Sequence, residues 1–335
     1  MKRILPLFLA LALLLTGCAA VSTTESASQT VSQVDSPSSA LESVPESASS
    51  QLESISITDS NGSQITLDTS APRVVAAYGS FAEAWLLAGG ELCGVTQDAL
   101  EQRNLGLPED IAVVGTVKEP NAEEIIALEP DLVLLASDIT TQADIRDVLE
   151  NAGLACAFFQ VDTFADYAFM MEQLCAVTGR EDLYEENVTQ VGQQIEEAQA
   201  NAALSSTRPN VLLIRAFSTG IKAKTDDELA GAILKDLGAH NIADDHPSML
   251  EDLSLEEVIA ADPDYIFVTT MGDEQKALDY LNGLIQQNPA WSELSAVKED
   301  RYIVLPKDLF HYKPNNRWGD SYETLAKILY PDCFA

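Results

Sequence analysis

The sequence has few basic residues and few histidines, and each shortage excludes a class of function. Lysine and arginine together number 19 against 53 aspartates and glutamates, which gives a formal net charge of -34 at pH 7. No basic stretch is available to meet phosphates, so nucleic-acid binding is excluded. The 3 histidines, His240, His246 and His311, are not spaced like ligands that converge on one ion. A receptor for free zinc or manganese is therefore the weaker alternative.

Sequence motifs that mark common enzymes are also missing. The chain has no Gly-x-Ser-x-Gly elbow, no His-Glu-x-x-His, no Cys-x-x-Cys, no P-loop and no dinucleotide-binding glycine turn. We therefore expect a protein that is not an enzyme, with a surface enzyme as the competing interpretation. Four cysteines at 93, 156, 175 and 333 match no metal or redox spacing, and a chain of this size does not need a disulfide. We expect them to be buried, inert thiols.

No apolar run is long enough to span a bilayer as a helix, for which about 20 residues are needed. The longest run, residues 4–15, follows Lys2 and Arg3 and ends in Leu15-Thr16-Gly17-Cys18. This pattern predicts an export signal over residues 1–17. Its last four residues resemble the lipobox of bacterial lipoproteins, which implies cleavage before Cys18 and lipidation of that cysteine. An ordinary signal peptide with an incidental cysteine is the alternative.

The next segment, residues 18–53, is rich in serine, threonine, glutamate and glutamine and has almost no large apolar residue. Such a composition cannot bury enough surface to offset the entropy lost on ordering, so it predicts a disordered tether. The expected location is extracytoplasmic, on the outer face of the cell membrane of a Gram-positive organism. The lipid on Cys18 would be the only contact with the membrane.

An internal repeat is the most informative feature of the chain. Residues 121–135, NAEEIIALEPDLVLL, return as SLEEVIAADPDYIFV at residues 254–268, an offset of 133 positions. Each copy has a polar cap residue, acids in the first helical turn, an apolar helix face, a Pro-Asp stop and an aliphatic strand. The repeat predicts two lobes built on one plan.

The surroundings of both copies alternate between strand and helix patterns, which indicates parallel sheets covered on both faces. Between them, residues 181–204 carry apolar positions at alternating spacings of four and three, which predicts one long amphipathic helix. The predicted fold is α/β, with two Rossmann-like lobes joined by one long backbone helix and a ligand cleft between the lobes. The predicted boundaries are an N-terminal lobe at 54–180, the backbone helix at 181–205 and a C-terminal lobe at 206–335.

Short motifs in this order resemble a known family. They are TDSNG at 58–62, PRVV at 72–75, VVG at 113–115, PNAE at 120–123, FADY at 164–167, TGR at 178–180 and PKDLFHYKPNNRW at 306–318. The set resembles the helical-backbone, or class III, substrate-binding lipoproteins of ABC importers for ferric siderophores, haem and vitamin B12. The resemblance implies a monomer without an intrinsic cofactor, whose partners are an ABC permease, its ATPase and a small iron or cobalt complex. A ferric siderophore is the expected ligand, with haem or cobalamin as alternatives.

Ligands of parallel α/β sheets bind beyond the carboxyl ends of the strands, so the loops after the strands should line the cleft. Aromatic groups there would cover a large planar or catechol-rich ligand, and arginine or lysine would neutralise its carboxylates. Clusters of basic residues around 215–224 and 307–317 favour an anionic ligand, unless they simply balance nearby acids. The candidates are Tyr78, Ser80, Phe81, Ser137 and Asp138 in the first lobe, and Arg215, Phe217, Lys222, Met271, Phe310, His311, Tyr312 and Arg317 in the second.

Two further roles are expected for particular side chains. If the ligand is haem, Tyr78, His311 and Tyr312 are candidate iron ligands, with Met271 or the pair His246 and Met249 as other possibilities. A chelated siderophore would need no protein ligand to its metal.

Glu123 and Glu256 occupy matched positions in the repeat. The family resemblance implies that such glutamates dock onto arginines of the permease. The alternative role is stabilisation of the helix start, worth about 0.3–1 kcal/mol each.

Overall fold

The structure is a computed structural model that describes residues 54–251 and 253–334. The predicted signal segment, Cys18 and the predicted tether lie outside the described residues. Among the helices of the described part, none combines the length and the apolar character needed to cross a membrane. The described chain forms two α/β lobes joined by a long helical segment, as the sequence predicts.

The N-terminal lobe is built on a five-stranded parallel sheet in the order β5-β4-β3-β8-β9. Every residue of β8 is buried because helices cover both faces of the sheet. The strands of this lobe are β1 (Ile55–Thr58), β2 (Gln64–Leu67), β3 (Val74–Ala76), β4 (Leu92–Val95), β5 (Ala112–Val113), β6 (Gly115–Thr116), β7 (Glu119–Pro120), β8 (Leu132–Ala136) and β9 (Ala155–Phe159). Its helices are α1 (Gly79–Leu87), α2 (Asp98–Glu101), α3 (Ala122–Ala127), α4 (Thr140–Asp144), α5 (Arg146–Asn151) and α6 (Phe164–Thr178).

The backbone helix consists of α7 (Glu181–Tyr184), a π-helical turn (Glu185–Thr189) and α8 (Gln190–Ala203). The predicted apolar stripe is its buried face, which belongs to a core cluster that includes residues of both lobes. The π turn was not predicted. It surrounds the buried Asn187, whose Nδ2 donates to the carbonyl oxygens of Leu183 at 3.0 Å and Leu87 at 3.2 Å. A side chain that inserts into the backbone ladder in this way is a known cause of a widened turn.

The C-terminal lobe has a sheet in the order β11-β10-β13-β14, in which β11 is antiparallel to β10 and the other pairs are parallel. β12 pairs with the start of β10. The strands are β10 (Asn210–Phe217), β11 (Gly220–Lys224), β12 (His240–Asn241), β13 (Tyr265–Thr270) and β14 (Tyr302–Val304). The helices are α9 (Leu229–Asp236), α10 (Ser248–Glu251), α11 (Leu255–Ala261), α12 (Glu274–Gln287), α13 (Ser295–Lys298), α14 (Lys307–Phe310) and α15 (Trp318–Leu329). Of these, α15 packs along α8.

The sequence repeat corresponds to matching backbone geometry in the two lobes. Glu129 and Asp262, at equivalent positions, both adopt a left-handed conformation, with φ of 46° and 42°. The aspartate of each Pro-Asp stop then accepts a backbone hydrogen bond from the residue at the start of the neighbouring central strand. Asp131 accepts from the Arg73 N–H at 2.7 Å, and Asp264 accepts from the Asn210 N–H at 2.8 Å. The repeated motif therefore ends a helix and fixes the start of the adjacent strand.

The four described cysteines are unpaired. Cys156 and Cys175 are buried, whereas Cys93 and Cys333 are half-buried. Burial raises the pKa of Cys175 to about 11 and that of Cys156 to about 12, so both thiols stay protonated at neutral pH.

Candidate functional site

A cavity of about 370 Å³ lies between the two lobes, at the carboxyl ends of their strands. The N-terminal lobe contributes Tyr78 after β3 and residues 161–163 after β9. The C-terminal lobe contributes Arg215 from the end of β10 and residues 226–229 with Ala232 from the loop after β11 and from α9. It also contributes Phe310, His311 and Lys313 from the segment after β14. Both sheets thus place their strand ends at one site, as expected for parallel α/β lobes.

A second cavity of about 280 Å³ lies on the other side of the segment 308–317. Tyr312 and Arg317 line this second cavity, whereas Phe310 and His311 line the first. The C-terminal segment therefore divides the space between the lobes. Of the residues nominated from the sequence, the structure brings Tyr78, Arg215, Phe310 and His311 together, and it separates Tyr312 and Arg317 from them.

Tyr78 and His311 are both uncharged at neutral pH. Burial, followed by the nearby Asp138 carboxylate, raises the pKa of Tyr78 to about 12. Burial, followed by the charges of Arg215 and Lys307, lowers the pKa of His311 to about 4. The Nδ1 atom of His311 is buried and has no hydrogen-bond partner among the described residues. His311 thus lines the cavity as a neutral imidazole whose Nδ1 is enclosed by the protein.

The two basic side chains that line the cavity, Arg215 and Lys313, are engaged by an acid and a carbonyl group. The Arg215 guanidinium forms an ion pair with Glu228. Lys224 is the last residue of β11, and its Nζ lies 3.0 Å from Asp227 Oδ2 and 3.1 Å from Glu228 Oε1. Lys313 donates to the Val161 carbonyl oxygen. Arg215, Lys224 and Lys313 are therefore engaged within the fold, whereas Lys222 of the same basic cluster is exposed.

Arg317 follows the same pattern on the second cavity. Its guanidinium lies 2.6 Å from Asp308 and 3.0 Å from Asp320. The C-lobe cation nearest the second cavity is thus also paired.

Contacts across the lobes hold the segment 313–315 against the N-terminal lobe. Arg103 forms an ion pair with Glu83 and donates to Ser80 Oγ at 2.7 Å and to the Lys313 carbonyl oxygen at 2.8 Å. Asn315, which is fully buried with φ of 52°, donates from Nδ2 to the Ser80 carbonyl oxygen at 2.9 Å and to Glu83 Oε2 at 2.6 Å. Asparagine tolerates this left-handed conformation better than most residues do. None of Glu83, Arg103 and Asn315 was nominated from the sequence.

Two nominated residues lie beneath the cleft wall instead of lining it. Phe81 is fully buried and packs edge-on against Tyr78 and Phe159, with ring centroids 5.2 Å and 6.3 Å away. Ser80 is buried under Arg103. Both face inward because α1 begins at Gly79 and turns these residues into the core. They support the site and are corrections to the predicted lining.

The other nominated residues line neither cavity. Asp138 is exposed but close enough to Tyr78 to raise its pKa. Lys222 is exposed on β11, directly opposite Arg215. Met271 is 39% exposed after β13. Ser137 donates its N–H to the Phe159 carbonyl oxygen at 3.0 Å, and Phe217 is half-buried where β10 turns into β11.

Met249 is part of the core of the C-terminal lobe, so the pair with His246 does not face the ligand cavity. His246 lies half-buried in the loop before α10. In the residues that the structure describes, no group of three or more histidine, cysteine, aspartate or glutamate side chains is placed to bind a metal ion.

Glu123 and Glu256 are the second residues of α3 and α11 and are exposed. A polar residue caps each helix. Asn121 accepts from the backbone N–H groups of Glu123 and Glu124 at 3.0 Å and 3.3 Å, and Ser254 accepts from Glu257 at 3.3 Å. Within the described residues, neither carboxylate forms an ion pair. The two side chains are therefore free for contact with a partner.

Two α/β lobes, one helical backbone and a cavity at their strand ends define a class of protein: the substrate-binding proteins with a helical backbone that serve ABC importers. The chain belongs to the periplasmic binding protein family, whose sequence profile matches residues 74–309. The family resemblance found in the sequence is confirmed.

Individual relatives are distant but span most of the chain. The Fe(3+)-citrate-binding protein YfmC of Bacillus subtilis is 26% identical over 253 residues, which covers 72% of this chain and 76% of that protein. The high-affinity heme uptake system protein IsdE of Staphylococcus aureus is 22% identical over 227 residues, or 67% of this chain and 76% of IsdE. Among solved structures, the TroA-like periplasmic binding protein FepB of Veillonella parvula aligns with a TM-score of 0.68 and 20% identity, covering 84% of this chain and 91% of FepB. This structural likeness concerns the fold.

Proposed function

We propose that this chain is a carrier that captures an iron complex between its lobes, a ferric siderophore first of all, and delivers it to an ABC importer. The observation that carries the proposal is the cavity of about 370 Å³ at the strand ends, to which both lobes contribute aromatic and charged side chains. Its size falls within the range of small-molecule sites. The relatives named for ferric citrate and heme support iron as the shared feature of the cargo. The cargo leaves unchanged, so the protein acts without catalysis.

Haem is the second candidate, and a specific side chain favours it. A neutral imidazole is a common axial ligand of haem iron. The neutral imidazole of His311 lines the cavity, and Tyr78 lines the same cavity from the other lobe. Tyr312, which the sequence also nominated as a ligand, lines the neighbouring cavity and is not favoured for this role.

The remaining expectations concern attachment and organisation. Cleavage before Cys18 and its lipidation would hold the protein outside the cell membrane, with residues 18–53 as a tether. The lobes would be residues 54–180 and 206–335, with the helix at 181–205 as a stiff spacer between them. Its buried stripe, which packs on the core shared by both lobes, supports limited lobe motion during ligand capture.

Calorimetric titration of the purified chain tests the ligand. We expect saturable binding of at least one compound from a panel of ferric siderophores, haem and cobalamin. Calorimetry is preferable to tryptophan fluorescence because Trp318 is buried beside Phe164 and lines neither cavity. If haem binds, His311→Ala should shift the Soret band and weaken haem binding at least about tenfold. Failure of every compound to bind would refute the proposed function.

Docking onto the permease can be tested with a matched pair of double variants. Glu123→Ala with Glu256→Ala should leave ligand affinity within about twofold and abolish uptake, because the exposed carboxylates are proposed to pair with permease arginines. The control is Glu124→Ala with Glu257→Ala, which removes the same charges from the same helical turns, together with the hydrogen bond that Ser248 Oγ donates to Glu257 at 3.0 Å. Stabilisation of the helix start alone would make both double variants behave alike in an uptake assay, and that result would contradict docking.

A further inference from the structure

The ends of strands β3 and β8 meet at the edge of the N-terminal sheet that faces the main cavity. These strands are neighbours, and the chain continues from β3 to β4 on one side of it and reaches β8 on the other. Such a pair forms a topological switch point, the place where open α/β sheets bind ligands. Tyr78 follows β3 and lines the cavity, and Asp138 follows β8. The spacing of these two strand ends therefore helps to set the position of one cavity wall.

The side-chain amide of Gln142 is inserted between the two strand ends. The last direct bond between them runs from the Ala77 N–H to the Leu134 carbonyl oxygen at 2.9 Å. In a regular parallel ladder, the next bond would join the Ala136 N–H to the Ala77 carbonyl oxygen. Here the Ala136 N–H donates to Gln142 Oε1 at 2.7 Å, and Gln142 Nε2 donates to the Ala77 carbonyl oxygen at 2.8 Å. The amide thus replaces one backbone bond and holds the strands apart beside the cavity.

The environment of Gln142 leaves this amide little freedom. The residue belongs to α4 and is fully buried. Its Nε2 also donates to the Val117 carbonyl oxygen at 2.9 Å, in the turn between β6 and β7. The amide is therefore bonded to three separate segments of the lobe. A buried polar group that has its partners makes its surroundings rigid, whereas removal of one partner leaves a costly unpaired group.

Tyr78 is the cavity residue closest in sequence to this arrangement. Its preceding residue, Ala77, is held by Gln142. Its following residue, Gly79, donates its N–H to Asp98 Oδ2 at 2.7 Å. The backbone of Tyr78 is thus fixed on both sides by side chains from two helices, α4 and α2. A displacement of the strand ends would therefore reach a ligand through the Tyr78 ring.

We infer that Gln142 is a positioning residue of the binding site, whose amide sets the separation of the β3 and β8 ends and thereby the place of the Tyr78 ring. Gln142 itself lines neither cavity, so it acts on a ligand through Tyr78. This inference rests on the proposed function, in which the main cavity holds the ligand. Without the amide, the Ala136 N–H and the Ala77 carbonyl oxygen are free to pair directly, which draws the strand ends together and moves Tyr78.

The position of Tyr78 can be measured without any ligand. A fluorotyrosine placed at position 78 reports its surroundings by fluorine NMR. We expect Gln142→Met, which keeps the length of the side chain and removes the amide, to shift this signal. The control is Leu149→Ala, since Leu149 is fully buried in α5, near the start of β9 and the opposite edge of the sheet. It should lose stability through the space left in the core and leave the signal in place. An unchanged signal in folded Gln142→Met would overturn the inference.

Ligand affinity supplies a second measurement, with haem and ferric citrate as probes because relatives are named for them. For a probe that binds the unchanged chain, we expect Gln142→Met to weaken binding by about tenfold and Leu149→Ala to stay within about twofold. Equal weakening by both variants would mean that stability alone is responsible, which contradicts the positioning role. If no ferric siderophore, ferric citrate, haem or cobalamin binds the unchanged chain, the proposed function is refuted, and the fluorine signal still decides the inference.

A nearly isosteric variant adds a test by pH. In Gln142→Glu, an ionised carboxylate can accept from the Ala136 N–H but cannot donate to the carbonyl oxygens of Ala77 and Val117. A protonated carboxyl group can donate to one of them, and burial favours this neutral form. We therefore expect Gln142→Glu to regain affinity relative to Gln142→Met, by about threefold or more, as the pH falls from about 8 to about 5. Parallel pH profiles of the two variants would contradict the role assigned to the amide.

Discussion

Replacing Gly231 by alanine is expected to lower the free energy of unfolding by about 2–4 kcal/mol. Gly231 is buried in α9, and a β-carbon at this position would overlap the carbonyl oxygen of Thr225. The obstacle is backbone, which cannot move aside as a flexible side chain could. Accommodating the methyl group would displace the loop that carries Asp226, Asp227 and Glu228 into the cavity. We therefore expect weaker ligand binding together with the loss of stability.

The same substitution in another helix is the control. Gly283 lies inside α12, and no atom lies within 4 Å of the position that a β-carbon would take there. Glycine in a helix interior costs about 0.5–1 kcal/mol relative to alanine, so Gly283→Ala should stabilise the protein by about that amount. Urea denaturation of both variants would measure the two effects. If Gly231→Ala were as stable as the unchanged chain, the expected overlap of the new β-carbon with the Thr225 carbonyl oxygen would be contradicted.

Replacing Arg103 by alanine is expected to cost about 2–4 kcal/mol of stability. Its side chain is 11% exposed, and its removal leaves the Glu83 carboxylate with Asn315 as its hydrogen-bond partner. The variant also removes the donor to the Lys313 carbonyl oxygen, a direct link between the lobes. Arg103→Lys should recover only part of the loss, because an ammonium group cannot reproduce the planar set of donors to Glu83, Ser80 and Lys313.

Arg317→Ala provides the comparison for this effect. Arg317 also pairs with two acids, Asp308 and Asp320, but its side chain is 45% exposed. Exposed pairs contribute about 0–1 kcal/mol, so this variant should be nearly neutral. Hydrogen exchange should in addition show faster exchange near residue 315 in Arg103→Ala than in Arg317→Ala. Similar stabilities of the two arginine variants would rule out the role assigned to Arg103.

Several parts of the fold were predictable because they depend on local patterns. The repeat at 121–135 and 254–268 marked one helix and one buried strand in each lobe, and the spacing of apolar residues in 181–204 marked the backbone helix. Strand β4 and hairpin strand β11 were missed. β4 is four residues long and contains a glycine, and β11 carries two lysines, so neither shows the apolar run of a buried strand. Helix α15, which begins at the last residue of the motif at 306–318, was also not predicted.

The candidate site was likewise predictable in part. Of the residues chosen by the rule that loops after strands line the cleft, Tyr78, Arg215, Phe310 and His311 line the cavity. The same rule applied to the end of β9 would have found Asp162 and Thr163. The acidic run 226–228 could not be placed without the antiparallel return of β11. The rule failed for Phe81 and Ser80 because the start of α1 turns them away from the cleft.

By itself, the sequence determined the two-lobe plan, the joining helix and the family, since these follow from periodicity, repetition and motif order along the chain. Only the tertiary structure decided which charges remain available to a ligand. Arg215 and Glu228 are 13 positions apart, and Arg103 and Lys313 are 210 apart, yet each pair is in contact. Whether a basic residue is free or neutralised depends on its neighbours in space, and a single sequence does not specify those neighbours. For this reason Arg215 and Lys313, which belong to the basic clusters that suggested an anionic ligand, line the cavity as members of ion pairs with Glu228 and Asp162.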